Sequence, residues 1–84
     1  MKFDQDDRMR SFRAFMAAYP IPTSPTAAAK AYAEVITSRQ LHEELMRALR
    51  IALGSDDWVG LMLGNQGKGI PHANKFIMQW AAGH

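Results

Sequence analysis

"SPTAAAKAYAEVITSRQLHEELMRALRIALG", residues 24–54, decides the fold of this chain. It can be drawn as one long helix from Pro25 to Leu53 or as two shorter ones, and the spacing of its apolar residues separates the alternatives. Ala28, Ala31, Tyr32 and Val35 recur at helical intervals, and so do Leu41, Leu45, Ala48, Leu49 and Ala52. With each residue turning a helix by about 100°, the two stripes point to different sides. A single straight helix would have to change its buried face midway. A break near Thr37–Ser38 is the more economical reading. Thr37 or Ser38 is expected to cap the second helix, and Thr37 and Gln40 have the spacing of a capping box, in which a hydroxyl and a side-chain amide satisfy each other's free backbone donors. Ser24-Pro25 marks the start of the first of these helices, since serine caps a helix and proline suits its first position. Gly54 is expected to end the second in a left-handed C-cap.

Working outward from that stretch, residues 4–18 are expected to form a preceding helix, with Met9, Phe12, Phe15, Met16 and Tyr19 on one face. Asp4, Asp6 and Asp7 fall in its first turn, where the helix dipole favours negative charge. Asp4–Arg8 and Asp6–Arg10 are i,i+4 pairs in the favourable order, each worth about 0.2–0.5 kcal/mol. Pro20 and Pro22 stop it. Beyond Gly54, Ser55 caps the short segment "DDWVGLML". That segment is nearly all apolar and so is expected to be buried on most sides, with Gly64 ending it. Pro71 then opens a last helix carrying Ala73, Phe76, Ile77 and Trp80. No strand-like alternation and no internal repeat interrupts the pattern. The expected fold is all-α, a compact bundle of four to five short helices forming one domain over residues 1–84.

Composition narrows the function classes. The chain has 84 residues, 48% hydrophobic and 21% charged, which suits a globular domain rather than a disordered one. It contains no cysteine, so it has no disulfide, thiolate nucleophile or thiolate metal site. Six methionines, four phenylalanines and two tryptophans supply the apolar bulk. The net charge of +2 is a weak basic balance, short of the concentrated patch typical of nucleic-acid binders. No apolar run approaches the roughly 18 residues needed to span a bilayer, and "MKFDQDDRMR" has acids where a signal peptide is apolar. A cytoplasmic location is the expectation.

"GNQGKGI", Gly64–Ile70, is the stretch that looks most like chemistry. A phosphate-binding P-loop needs glycine, four residues, then Gly-Lys-Ser/Thr after a strand. With Gly67-Lys68 as that pair, the first glycine position holds Met62 and the hydroxyl position holds Gly69, and no strand precedes it. His42-Glu43-Glu44 begins like a zinc motif, but Met46 occupies the second histidine position, and His72 and His84 lie far off. Asp56-Asp57 suits a helix N-terminus better than a catalytic carboxylate pair. No serine or threonine has a local histidine partner that would make a nucleophile. We therefore expect no enzyme, no metal and no cofactor.

One resemblance covers about a third of the chain. "LRIALGSDDWVGLMLGNQGKGIP", residues 49–71, resembles the core of repressor/Cro-type helix-turn-helix domains. There a helix ends in Leu-Gly, a serine caps the recognition helix, a valine packs inside it, and a Gly-and-basic loop leads to Ile-Pro. Leu53-Gly54, Ser55, Val59, Leu63, Gly67-Lys68 and Ile70-Pro71 stand in that order. The chain departs from the pattern by one residue fewer before Ser55 and one more in the following loop. Its would-be recognition helix carries Asp56, Asp57, Trp58, Gly60, Leu61 and Met62, whereas major-groove readers carry Arg, Lys, Asn or Gln. The resemblance implies a helical fold and a dimeric DNA-binding regulator whose base reading has been lost or moved.

The surface residues most fit for a macromolecular contact are Arg8, Arg10 and Arg13 of the first helix, Arg47 and Arg50 of the third, and Asn65, Gln66 and Lys68 of the glycine-rich loop. Glu43 is placed to pair with Arg47. The bland reading of each group is a solvated face or polar turn. The expectation is a small non-enzymatic regulatory protein of bacterial or phage type, an accessory or inhibitor that acts by protein–protein contact. The alternative is a dimeric DNA-binding transcriptional regulator with a degenerate helix-turn-helix. Homodimerisation fits both, and nucleic-acid contact belongs to the alternative.

Overall fold

Asp4 caps the first helix rather than sitting inside it: its carboxylate accepts the Asp7 N–H at 2.9 Å. The computed structural model describes residues 3–21, 23–65 and 67–83. These form five α-helices and no strand: α1 (Gln5–Ala18), α2 (Pro25–Val35), α3 (Arg39–Leu53), α4 (Asp56–Asn65) and α5 (Ala73–Ala82). The all-α bundle is therefore as the hydrophobic spacing predicts. Pro22, one of the two expected helix stops, lies outside the described residues.

The break in the deciding stretch is real, but its cap is one residue later than the Thr37–Gln40 box implies. Ile36 and Ser38 both have extended backbone, and Ser38 Oγ accepts the Leu41 N–H at 3.2 Å. With Ser38 as cap, the position that would reciprocate holds Leu41, so no box can close. Ile36 is fully buried. Leaving the helix there lets its side chain enter the core, which fixes the turn between α2 and α3.

Small residues let the central pair approach. α2 packs most extensively against α5, and Ala28, Ala31 and Ala73 are buried between bulkier neighbours. Phe15, Ile36, Leu45, Leu49 and Ile77 are the largest fully buried side chains. Each full burial removes about 1.5–3 kcal/mol worth of apolar surface from water. An aromatic chain threads this core: Phe12 and Phe15 meet Tyr32 at centroid distances of 5.3 and 6.3 Å. Tyr19 lies 5.9 Å from Phe76, and Trp58 lies 5.6 Å from Phe76. The Tyr19 hydroxyl donates to the Pro71 carbonyl, tying the end of α1 to the approach of α5.

Three local expectations are corrected, and the Ser55 cap is found as expected. Gly54 ends α3 with right-handed backbone (φ −91°), because the chain passes at once into the Ser55 cap instead of reversing. Ser55 Oγ donates to the Ala52 carbonyl at 2.7 Å and accepts the Trp58 N–H at 3.3 Å, so one hydroxyl serves both helix ends. Gly64 lies within α4, which continues to Asn65. Pro71 does not begin α5: His72 is the N-cap and Ala73 the first helical residue.

The largest correction concerns the burial of α4. None of its residues from 56 to 64 is buried. Trp58 and Leu61 half-bury against the body, while Val59, Met62 and Leu63 face outward, Leu63 being 84% exposed. Val59 thus does not pack inside, as the helix-turn-helix resemblance implies.

Candidate macromolecule-binding surfaces

Two surfaces merit a functional reading, and each is built from helical spacing. The first is an open groove of about 580 Å³ between α1 and α3. Asp7, Arg10, Ser11 and Ala14 line it from α1, at intervals of three and four that place them on one face. Arg39, His42, Glu43, Met46 and Arg50 line it from α3 on the same arithmetic. Arg39 and Asp7 approach to 3.8 Å across it, both partly exposed, a contact worth little in water. Arg10 and Arg50 have no ion pair among the described residues. His42 turns inward, with Nδ1 2.9 Å from the Tyr32 hydroxyl. Burial lowers its pKa from the ordinary histidine value, helped by the Arg39 charge and opposed by Glu43. The hydrogen bond with Tyr32 engages His42 in the contact between α2 and α3. Burial also pushes Tyr32 up to about 12, against a Ser11 hydrogen bond and the Arg8 charge.

The groove sorts the expected arginines. Arg10 and Arg50 come together in it. Arg8 turns away and donates to the Ala33 carbonyl at 2.8 Å, so the expected Asp4–Arg8 pair does not close. Arg13 and Arg47 are exposed and do not line the groove, and Arg47 forms no ion pair with Glu43. Arg39 and His42 are the members that cluster-seeking passes over. Their signal is the 39/42/43/46/50 spacing, which marks one face of α3 only when it is read as polar rather than apolar. Beside Arg8, a second groove of about 370 Å³ lies between α1 and α2, lined mostly by Met9, Phe12, Ala29 and Tyr32.

The second surface is the outward side of α4 with the turn that follows. Asp56, Val59, Gly60 and Leu63 are spaced i, i+3, i+4 and i+7, and all four are exposed. Gly67 and Gly69 adopt φ of +84° and +99°, which accounts for two glycines of "GNQGKGI" on backbone grounds. A Cβ on Gly67 would stand 2.6 Å from Ile21 Cγ2 and 3.4 Å from Met62 Sδ. The Gly67 N–H bonds the Leu61 carbonyl at 2.9 Å, and the Ile70 N–H bonds the Gly67 carbonyl at 3.2 Å. With two amides turned inward and Ile70 buried, the stretch acts as an anchored turn rather than a phosphate cradle. Lys68 is exposed on it. Asn65 is the last residue of α4, with its side chain outside the described set, and Gln66 lies outside the described residues altogether.

No protein-family model, curated protein or solved structure matches the chain. The surfaces must therefore carry the functional reading themselves. Among the described residues, no group of three histidine, cysteine or acidic side chains converges as a metal site would require, and no helix is long and apolar enough to cross a membrane.

Proposed function

We propose that this chain is a small non-enzymatic binding protein that regulates another protein by contact, taking an acidic segment of its partner into the α1/α3 groove. The observation that carries this reading is the convergence of Arg10, Arg39 and Arg50 from two helices around one open groove, with Ala14 and Met46 between them. Arginine presents a planar fork to carboxylates and is enriched at binding hot spots. Methionine adapts to irregular partners. An accessory or inhibitor role of bacterial or phage type, in the cytoplasm, is the setting we propose.

Capture experiments test it. A partner retained from lysate by the wild-type chain should be lost by Arg10→Glu/Arg50→Glu at unchanged helicity, and kept by Arg13→Glu/Arg47→Glu. Equal retention by both variants would end the groove reading.

The second reading is a DNA-binding regulator of degenerate helix-turn-helix type. Its support is that α4 is a surface helix following α3 after only Gly54 and Ser55, with exposed Lys68 beyond it. Against it, the exposed residues of α4 include Asp56 and Asp57, which repel phosphates. Fluorescence anisotropy on a random duplex at two salt concentrations, beside Lys68→Ala, separates the readings. Binding that weakens steeply with salt and with the substitution would favour DNA.

A further inference from the structure

We infer that the outward stripe of α4 is where two copies of this chain pair, antiparallel about a twofold axis. Four observations converge on a second copy as the occupant. The first is that the apolar exposure is concentrated. Val59, Met62 and Leu63 are all exposed on one ten-residue helix, whereas Met9, Ile51 and Met78 are scattered singly over three others, as surface apolar residues ordinarily are.

The second observation is a knob and a hollow on the same stripe. Leu63 projects with 84% of its surface free. One turn earlier, Gly60 has nothing within 4 Å of where a Cβ would stand. In an antiparallel pair centred near Leu61, Leu63 of each copy falls opposite Val59 and Gly60 of the other. The face is thus complementary to itself, which a twofold interface requires. The third is charge. Asp56 and Asp57 lie at the start of α4, and Lys68 lies in the turn beyond its end, which is tied back through Gly67 beside Met62. Antiparallel pairing sets the acids of one copy against the lysine of the other at both ends, whereas a parallel pair would set like against like. The fourth is that the chain holds α4 ready. Trp58 clamps it through Tyr19 and Phe76, so little order has to be gained on association.

These residues are separate from Arg10, Arg39 and Arg50, so a result here leaves the groove reading where it stands. Sedimentation equilibrium on the full chain tests the pairing. The wild type should show a concentration-dependent dimer. Leu63→Glu and Gly60→Leu should each weaken it by roughly tenfold or more. Both positions are open in the single chain, and circular dichroism should show unchanged helicity. The decisive arm is charge exchange. Asp56→Lys/Asp57→Lys should disperse the dimer, Lys68→Asp should do the same, and mixing the two variants should restore association, because the mixed pair is complementary at both ends. A wild-type chain that stays monomeric up to millimolar concentration overturns the inference and leaves the stripe to a different protein. A dimer indifferent to Leu63→Glu, or variants that do not recover on mixing, overturn it equally.

Discussion

α2 and α4 are both short helices rich in small and apolar residues, yet they have opposite fates. α2 hides Ala28, Ala31 and Tyr32 against its neighbours, while no residue of α4 from 56 to 64 is fully hidden. The difference lies in arrangement. α2 has one apolar stripe and polar residues elsewhere, such as Lys30 and Glu34, so one neighbouring face satisfies it. α4 is apolar nearly all round, and among its described residues Trp58 and Leu61 are the ones packed against the core. An all-round apolar helix states a demand for cover. It does not state that the same chain meets the demand.

The sharpest way to break the comparison is to truncate one side chain from each region. Phe15 is fully buried and within ring-contact distance of Tyr19, Tyr32 and Phe76. Phe15→Ala should cost about 3–5 kcal/mol in urea denaturation, a large share of the roughly 5–15 kcal/mol that holds a typical domain folded. Leu63→Ala, measured on the dilute chain, should stay within about 0.5 kcal/mol of wild type. Similar losses at both sites would mean that α4 is covered after all.

A second contrast sets the glycine-rich turn against α4. Gly67→Ala puts a methyl group into Ile21 at 2.6 Å on left-handed backbone, and should destabilise by about 1–3 kcal/mol. Gly60 and Gly64 are helical glycines with open space around them. Gly60→Ala should instead stabilise the chain by about 0.5–1 kcal/mol, through helix propensity. Paired thermal melts read both signs at once. A helix that gains stability from losing its glycines is one whose glycines serve something other than its own folding.

The cap between α2 and α3 gives a smaller effect. Ser38→Ala should cost about 1 kcal/mol, and Thr37→Ala close to nothing, because only Ser38 accepts a helix amide. Equal costs from the two substitutions would restore the box that Thr37 and Gln40 imply in sequence.

These contrasts show what could be read in the sequence. Helix number and position were legible because they rest on local signals: the change of stripe at residues 36–38, the Ser24-Pro25 start, and the acids after Ser55. Within a cap, adjacent hydroxyls are not separable by type alone, which is why Thr37 and Ser38 were both open. The burial of α4 was not legible, since it depends on what lies beside the helix rather than on the helix. The same limit governs the groove. Arg10 and Arg50 stand out as members of arginine clusters, but their meeting depends on α1 lying along α3, a contact between segments some forty residues apart. Arg13 and Arg47, equal candidates by composition, lie outside the groove for that reason alone.

The mildest test uses pH and bears on the α2–α3 contact, which α4 has no equivalent of. His42 hydrogen-bonds Tyr32 at that contact, and burial lowers its pKa below 6.5. The unfolded chain then takes up a proton before the folded chain does, so stability should fall as pH drops below 6.5, until the folded histidine also protonates. On the alkaline side the sign reverses. Burial pushes both Tyr19 and Tyr32 up to about 12, so above pH 10 the unfolded chain releases protons that the folded chain retains, and stability should again fall. These are the chain's two tyrosines. Ultraviolet titration should therefore show no phenol ionising near pH 10 while the chain stays folded. His42→Gln keeps a hydrogen-bonding amide for Tyr32 and should flatten the acid limb alone. A phenolate signal near pH 10 would place at least one ring in solvent, and would remove the aromatic clamp that the contrast between core and α4 relies on.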